Sequence, residues 1–251
     1  MSKFILIFFL LFNFSSTWSF TILIDPGHGG EDDGATGLYK VGKRKLPIKE
    51  KDLALGIALR IKKKLSKNYN TFLTRSVDRS LTLAKRAEIA EKVNADLFIS
   101  VHINSSTKRS SNGFETYYLD NHDDAAVKKV ESIENKDLEG EAYIIDKILT
   151  DLVIDRTVKS SKGLATSIHK TIRKRVKGKF RMVDRGVKPG LFYVLALTKR
   201  PAILLEAGFL SNYREVSKIR TRKFQETYAQ AVADGIHLYL KDKIKKKPSL
   251  F

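Results

Sequence analysis

Two histidines and two glutamates in this sequence stand where chemistry can use them. His28 lies in the run TILIDPGHGG, His102 ends DLFISVH, Glu206 ends AILLE, and Glu50 opens the segment EKDLALGIALRI. Two imidazoles and one carboxylate suit a catalytic zinc ion (Zn2+), which takes three protein ligands and keeps a fourth position for water. Such an ion lowers the pKa of its water to roughly 7 and polarises the carbonyl to be attacked. A second carboxylate, outside the ligand set, is then needed as general base and later as acid to the departing amine. Two glutamates meet that requirement. The helical HExxH signature is absent, so a thermolysin-like peptidase is excluded. Cysteine is absent too, which removes thiolate metal sites, cysteine nucleophiles and disulfides. His122, His169 and His237 lack a comparable setting and read as surface or packing residues.

For these residues to meet, the chain must bring distant segments to one place. Short apolar runs, TILI (21–24), TFLT (71–74), DLFISV (96–101), FETYYL (114–119), LFYVL (191–195) and AILLE (202–206), alternate with segments of helical period. That pattern predicts an α/β fold with a mostly parallel twisted sheet flanked by helices. In such a sheet the carboxyl ends of the strands share one edge, where ligands gather. His28, His102 and Glu206 all follow apolar runs and so fall on that edge. Leu53, Ile57, Ile61 and Leu65 recur every four residues, so Glu50 starts an amphipathic helix from the same edge. Further helices are expected over 82–94, with Leu83, Ala87 and Ala90 buried, from near Lys162, and over 223–240. Residues 120–160 form a helical insertion longer than an ordinary connection. Its second helical pattern carries the stripe Ile145, Ile148, Leu149 and Leu152.

With Lys+Arg at 47 against Asp+Glu at 28, the 251-residue chain has a formal net charge of +19 and should be drawn to polyanions. Residues 1–19 have the parts of a secretory signal peptide: Lys3, an apolar run from Phe4 to Phe12, then Thr17 and Ser19 spaced like a cleavage site. That apolar run is well short of the ~20 residues that span a bilayer. The expected organisation is a signal peptide over 1–19, one catalytic domain over 20–240 and a basic tail over 241–251. Export, and the lack of a recognised binding motif, argue against nucleic acid as the partner. Anionic membrane lipids or wall polymers remain as weak, salt-screened attractions.

Eight ordered blocks carry a resemblance: IDPGHGG (24–30), EKDLALGIALRI (50–61), FLTR (72–75), LTLAKRAEIA (81–90), ADLFISVHIN (95–104), GFETYYL (113–119), RGVKPGLFYVL (185–195) and PAILLEAGFLSN (201–212). From Thr21 to about Leu240 the sequence resembles the zinc-dependent N-acetylmuramoyl-L-alanine amidases, cell-wall hydrolases of the AmiA, AmiB and AmiC type. The resemblance implies His28, Glu50 and His102 as zinc ligands and Glu206 as the catalytic residue. It implies peptidoglycan as the substrate, cut between the lactyl group of N-acetylmuramic acid and the L-alanine of the stem peptide, and a periplasmic address, with an extracellular one as the alternative. The insertion resembles a regulatory segment that covers the metal cleft until a protein activator displaces it, with Glu134 in IENKDLEG (133–140) as the blocking residue and Glu139 and Glu141 as rivals. The septum-targeting domain and wall-binding repeats of many relatives have no counterpart, and a monomer is expected. The alternative is a catalytically silent peptidoglycan-binding protein of the same fold. Arg75, Asn104, Glu115 and Arg185 fall in the matching blocks as residues that shape the cleft.

Overall fold

A computed structural model describes the backbone of residues 20–135 and 142–246, and the side chains of the same residues except 142–149 and 245–246. The expected signal peptide, together with Glu139 and Glu141, lies outside the described residues. In chain order the elements are β1 (Thr21–Pro26), β2 (Thr36–Val41), β3 (Arg44–Lys49), α1 (Glu50–Leu65), β4 (Asn70–Leu73), α2 (Leu83–Lys92), β5 (Leu97–Asn104) and β6 (Phe114–Leu119). There follow α3 (Ala125–Glu134), α4 (Ala142–Ile172) with a π-helical turn at Arg173–Lys177, α5 (Gly178–Phe180), β7 (Asp184–Gly190), α6 (Tyr193–Leu197), β8 (Ala202–Phe209), α7 (Tyr213–Ile219) and α8 (Arg222–Lys246).

The principal sheet has the order β4-β1-β5-β8-β6-β7. β4, β1, β5 and β8 are parallel, whereas β6 runs antiparallel to β8 and β7 follows β6. The mostly parallel expectation holds, with the last two strands reversed. That reversal brings the start of β6 to the carboxyl edge of β8, where Glu115 pairs in register with Glu206.

Both faces are covered, as continuous apolar strands require. On one face Ile22, Ile24, Ile99, Val101, Ile203 and Leu205 pack with the apolar stripes of α1, α4 and α8. Leu53, Ile57, Ile61 and Leu65 are buried as their spacing predicts. On the other face Leu23, Phe98, Tyr117 and Leu204 meet residues of α2, α3 and α6.

Several local expectations are corrected. The run LFYVL is not a strand: Leu191 and Phe192 lead into the short buried helix α6, and the strand is the preceding DRGVKPG. A short apolar run is buried equally well as either element. Pro189 is admissible in β7 because that strand is the sheet's edge. The helix from Lys162 and the second helix of the insertion are one continuous α4, in which Leu152 is exposed while Val153 and Ile154 are buried. The last helix continues through Lys246, so the first six residues of the expected tail are helical. The β2–β3 hairpin is additional; Gly42, at φ +60°, opens its two-residue turn.

Candidate metal centre and active site

The carboxyl edge of the sheet brings the four residues together. β1 delivers the loop carrying His28, β5 carries His102, and His102 pairs in register with Glu206 on β8. Glu50 is the first residue of α1, reached through the β2–β3 hairpin. His28, Glu50, His102 and Glu134 each offer one ligand atom, and these atoms lie within 4.8 Å of one another. Glu134, at the last turn of α3, is thus part of the cluster: its Oε2 is 2.9 Å from His102 Nδ1 and 3.7 Å from His28 Nε2.

Glu50 is fixed from both sides. Its Oε2 accepts from the Ala35 amide at 2.9 Å and its Oε1 from the Ile103 amide at 2.9 Å. The same Oε1 lies 3.1 Å from His28 Nε2 and 3.2 Å from His102 Nδ1. His28 Nδ1 is 2.7 Å from Asp32 Oδ2, an outer carboxylate that fixes the ring and leaves Nε2 facing the cluster. Nε2 is buried without a hydrogen-bond partner. This donor set fits zinc: two imidazole nitrogens and a carboxylate converge, and the His28 ring is held by its outer partner with Nε2 turned to Glu50.

The charges respond to this crowding. Burial works against a proton on His28, but Glu50 and Asp32 overcome it and raise the imidazole to about 10. Burial likewise opposes protonation of His102, and Glu134 and Glu50 raise it to about 10. Glu50, although buried, is held far below the usual carboxylate range by the two imidazoles. Glu206 goes the other way: burial, then the charges of Glu134, Glu50 and Glu115, push it well above the ordinary value. Both of its oxygens are buried without a hydrogen-bond partner. A cation held by the histidines and Glu50 would lower the cost of charging Glu206.

The loop holding His28 is rigid for reasons the four residues do not reveal. Arg75, fully buried, donates to the carbonyls of Pro26 (3.1 Å), Gly27 (2.7 Å) and Lys51 (2.9 Å). Arg86 donates to Pro26 (2.8 Å) and His28 (2.9 Å) and pairs with Asp25. Asp25 also accepts from Thr74 at 2.6 Å and Ser100 at 2.9 Å, and Arg86 with these contacts holds its carboxyl low against burial. His28 itself has φ +57°, a costly conformation for a side-chain-bearing residue. Gly27 is glycine by necessity, since a Cβ there would sit 2.3 Å from His102 Cε1.

A cavity of about 350 Å³ lies over the cluster, lined by Asp25, His28, Asp32, His102, Ile133 and Glu134 among others. Its roof is α3. Asn135 ties that roof down, donating to Leu191 O at 2.8 Å and accepting from the Tyr193 amide at 3.0 Å, while Glu131 accepts from the Leu191 amide and contacts His122. Beside Glu206, Glu115 receives Asn104 (3.1 Å), Tyr117 (2.5 Å), Lys188 (2.9 Å) and Arg185.

Asp32, Asp25 and Arg86 escaped the sequence reading, although an acid four residues after His28 is a usable signal for Asp32. His122, His169 and His237 lie outside the cluster and bond Glu131, Thr116 with Asp184, and Tyr69 respectively.

Residues 22–237 match the Amidase_3 family, described as N-acetylmuramoyl-L-alanine amidase. The N-acetylmuramoyl-L-alanine amidase AmiC of Escherichia coli is 32% identical over 233 residues, covering 88% of this chain and 53% of that protein. AmiA of Escherichia coli is 29% identical, covering 87% of this chain and 75% of its own length. This chain therefore spans about half the length of the first relative. The crystal structure of an N-acetylmuramoyl-L-alanine amidase from Clostridium difficile 630 superposes with a TM-score of 0.67 at 30% identity, covering 90% of this chain and 98% of the other. The chain belongs to the N-acetylmuramoyl-L-alanine amidase family.

Proposed function

We propose that this protein is a zinc-dependent peptidoglycan hydrolase that cleaves the amide between the lactyl group of N-acetylmuramic acid and L-alanine. The observation that carries the reading is the convergence of His28, Glu50 and His102 at the sheet edge, with Glu206 beside them on the neighbouring strand and both its oxygens unpartnered. His28 Nε2, His102 Nδ1 and Glu50 would hold the metal. When bound, zinc supplies a water acidic enough to attack at neutral pH and a Lewis acid for the carbonyl.

Glu206 takes the proton of the attacking water and delivers it to the leaving amine nitrogen. Its place in the wall of the sheet, with a raised affinity for a proton, suits a group that must hold and release one in the same turnover. Asp32 orients His28 from outside. A silent wall-binding role would need none of these groups poised around the cavity.

Glu134 is the regulatory residue of this reading: α3 roofs the cavity and its carboxylate stands among the ligand atoms, so substrate enters after α3 is displaced by an activator. A signal peptide over 1–19 and a periplasmic place of work complete the reading.

The test is incubation of the purified protein with sacculi, with and without a chelator, and mass spectrometry of what is released. Free stem peptides beginning at alanine are expected, slowly from the intact chain and faster once residues 123–141 are deleted, lost on chelation and lost in Glu206→Gln while that variant still binds zinc. Released sugars, or cuts within the peptide, would overturn the assignment.

A further inference from the structure

The helical layer formed by α1, α4 and α8 carries a cleft that the amidase reading does not use. It opens between the end of α1, the end of α4 with its π turn, and the middle of α8, with a volume of about 1280 Å³. Fourteen residues of α1 separate Glu50 from Lys64, roughly 21 Å at 1.5 Å per residue, so the Lys64 end of the cleft lies far from the metal ligands.

Its chemistry is cationic. Lys64, Lys170, Arg173, Lys174, Arg175 and Lys179 line it, with Asp234 as the acid of the lining. Asp234 is taken up by Arg175, Arg173 reaches Asp184 at 3.3 Å, and Lys64 reaches Glu226 at 3.1 Å. Among the described residues no carboxylate pairs with Lys170 or Lys174, and both are exposed. Residues 170–181, KTIRKRVKGKFR, hold seven Lys and Arg and no acid. A helix end favours cations within its last turn, but this run continues through the π turn to Arg181. Local π geometry of this kind recurs at functional sites.

One further observation narrows the partner. Leu238, 48% exposed, projects among these cations in the lining. An apolar side chain within a basic surface suits an interface of headgroups and acyl chains, and a dissolved polyanion has no use for it.

We propose that the cleft docks the protein on anionic phospholipid headgroups at a membrane surface. The proposal does not depend on the amidase reading.

The chain from Phe20 onward, which carries the whole described fold, is sedimented with phosphatidylcholine vesicles with and without phosphatidylglycerol. Binding is expected only with phosphatidylglycerol. The double variant Lys170→Gln, Lys174→Gln should bind about thirty-fold more weakly, from the usual contribution of a basic residue at an anionic surface. Lys43→Gln with Lys45→Gln, the same charge change on the exposed β2–β3 turn, should leave binding little altered. Equal loss in both variants would reduce the effect to net charge and overturn the proposal. So would indifference to phosphatidylglycerol, full binding by the cleft variant, or cleft-dependent binding to a purified anionic wall polymer without vesicle binding. Peptide release by the cleft variant should be normal; vesicle binding by an enzyme that releases no peptide would sink the amidase reading alone.

Discussion

Glu134 Oε2 stands 2.9 Å from His102 Nδ1, the nitrogen that also faces Glu50 Oε1 at 3.2 Å. A carboxylate from the covering helix therefore competes for the space that a metal's open position and a substrate carbonyl would both require. The contact is charge-assisted and largely desolvated, the kind of interaction worth roughly 1.5–3 kcal/mol.

Replacing Glu134 with Gln should raise the basal rate of stem-peptide release by at least on the order of ten-fold. Deleting residues 123–141 should do the same, and Asn135→Ala, which cuts the bonds to Leu191 O and the Tyr193 amide, should also speed amide hydrogen exchange across α3. A folded deletion protein with unchanged or lower activity would contradict the cover's role.

Asp32→Asn should weaken zinc binding about 10- to 100-fold without unfolding the protein, because the outer carboxylate sets the orientation and basicity of His28. Competition with a chromophoric chelator reads the affinity directly. Removing the metal should lower the melting temperature as well, since a ligand bound only by the native state stabilises it by mass action. Equal affinities for the native protein and the variant would count against His28 as a ligand.

Arg86→Met should cost about 3–5 kcal/mol in denaturant unfolding, since it strands the buried carboxylate of Asp25. Adding Asp25→Asn should recover part of that loss. If the double variant is no better than Arg86→Met, the arginine acts through its bonds to the Pro26 and His28 carbonyls and the ion pair is secondary.

Glu215 gives stability a pH slope. Burial pushes its carboxyl up to about 7, although the Gly113 and Phe209 amides donate to it at 2.8 Å each. Between the usual value of 4.5 and about 7 the native state keeps a proton that the unfolded chain has released. Its contribution is thus complete below that window and is lost as the pH rises through it. Glu215→Gln should flatten that part of the profile in urea unfolding at a series of pH values. A profile parallel to the native one would refute the shift.

What could be read from the residues, and what could not, follows from how each feature is encoded. β1, β5, β6 and β8 are runs buried on both faces, so their apolar continuity announces them, and three of them frame the His28, His102 and Glu206 positions. β2 and β3 are mostly exposed and hold no continuous apolar run, and nothing in their pattern distinguishes them from a loop. LFYVL misleads because burial, and not periodicity, makes it apolar. The reversal of β6 is a matter of connection and leaves no local trace. Glu134 was nameable only through resemblance, since a glutamate on a helix looks the same whether it faces solvent or an imidazole.

The arginine clamp beneath the His28 loop has a consequence for how such a protein could be controlled. Its bonds run from guanidinium to backbone carbonyl and use none of the atoms that face the cluster. The backbone carrying His28 is thus fixed by groups outside the ligand set. Control then falls on admission to the site: the floor sets how tightly the guest is held, and the roof decides when it is let in.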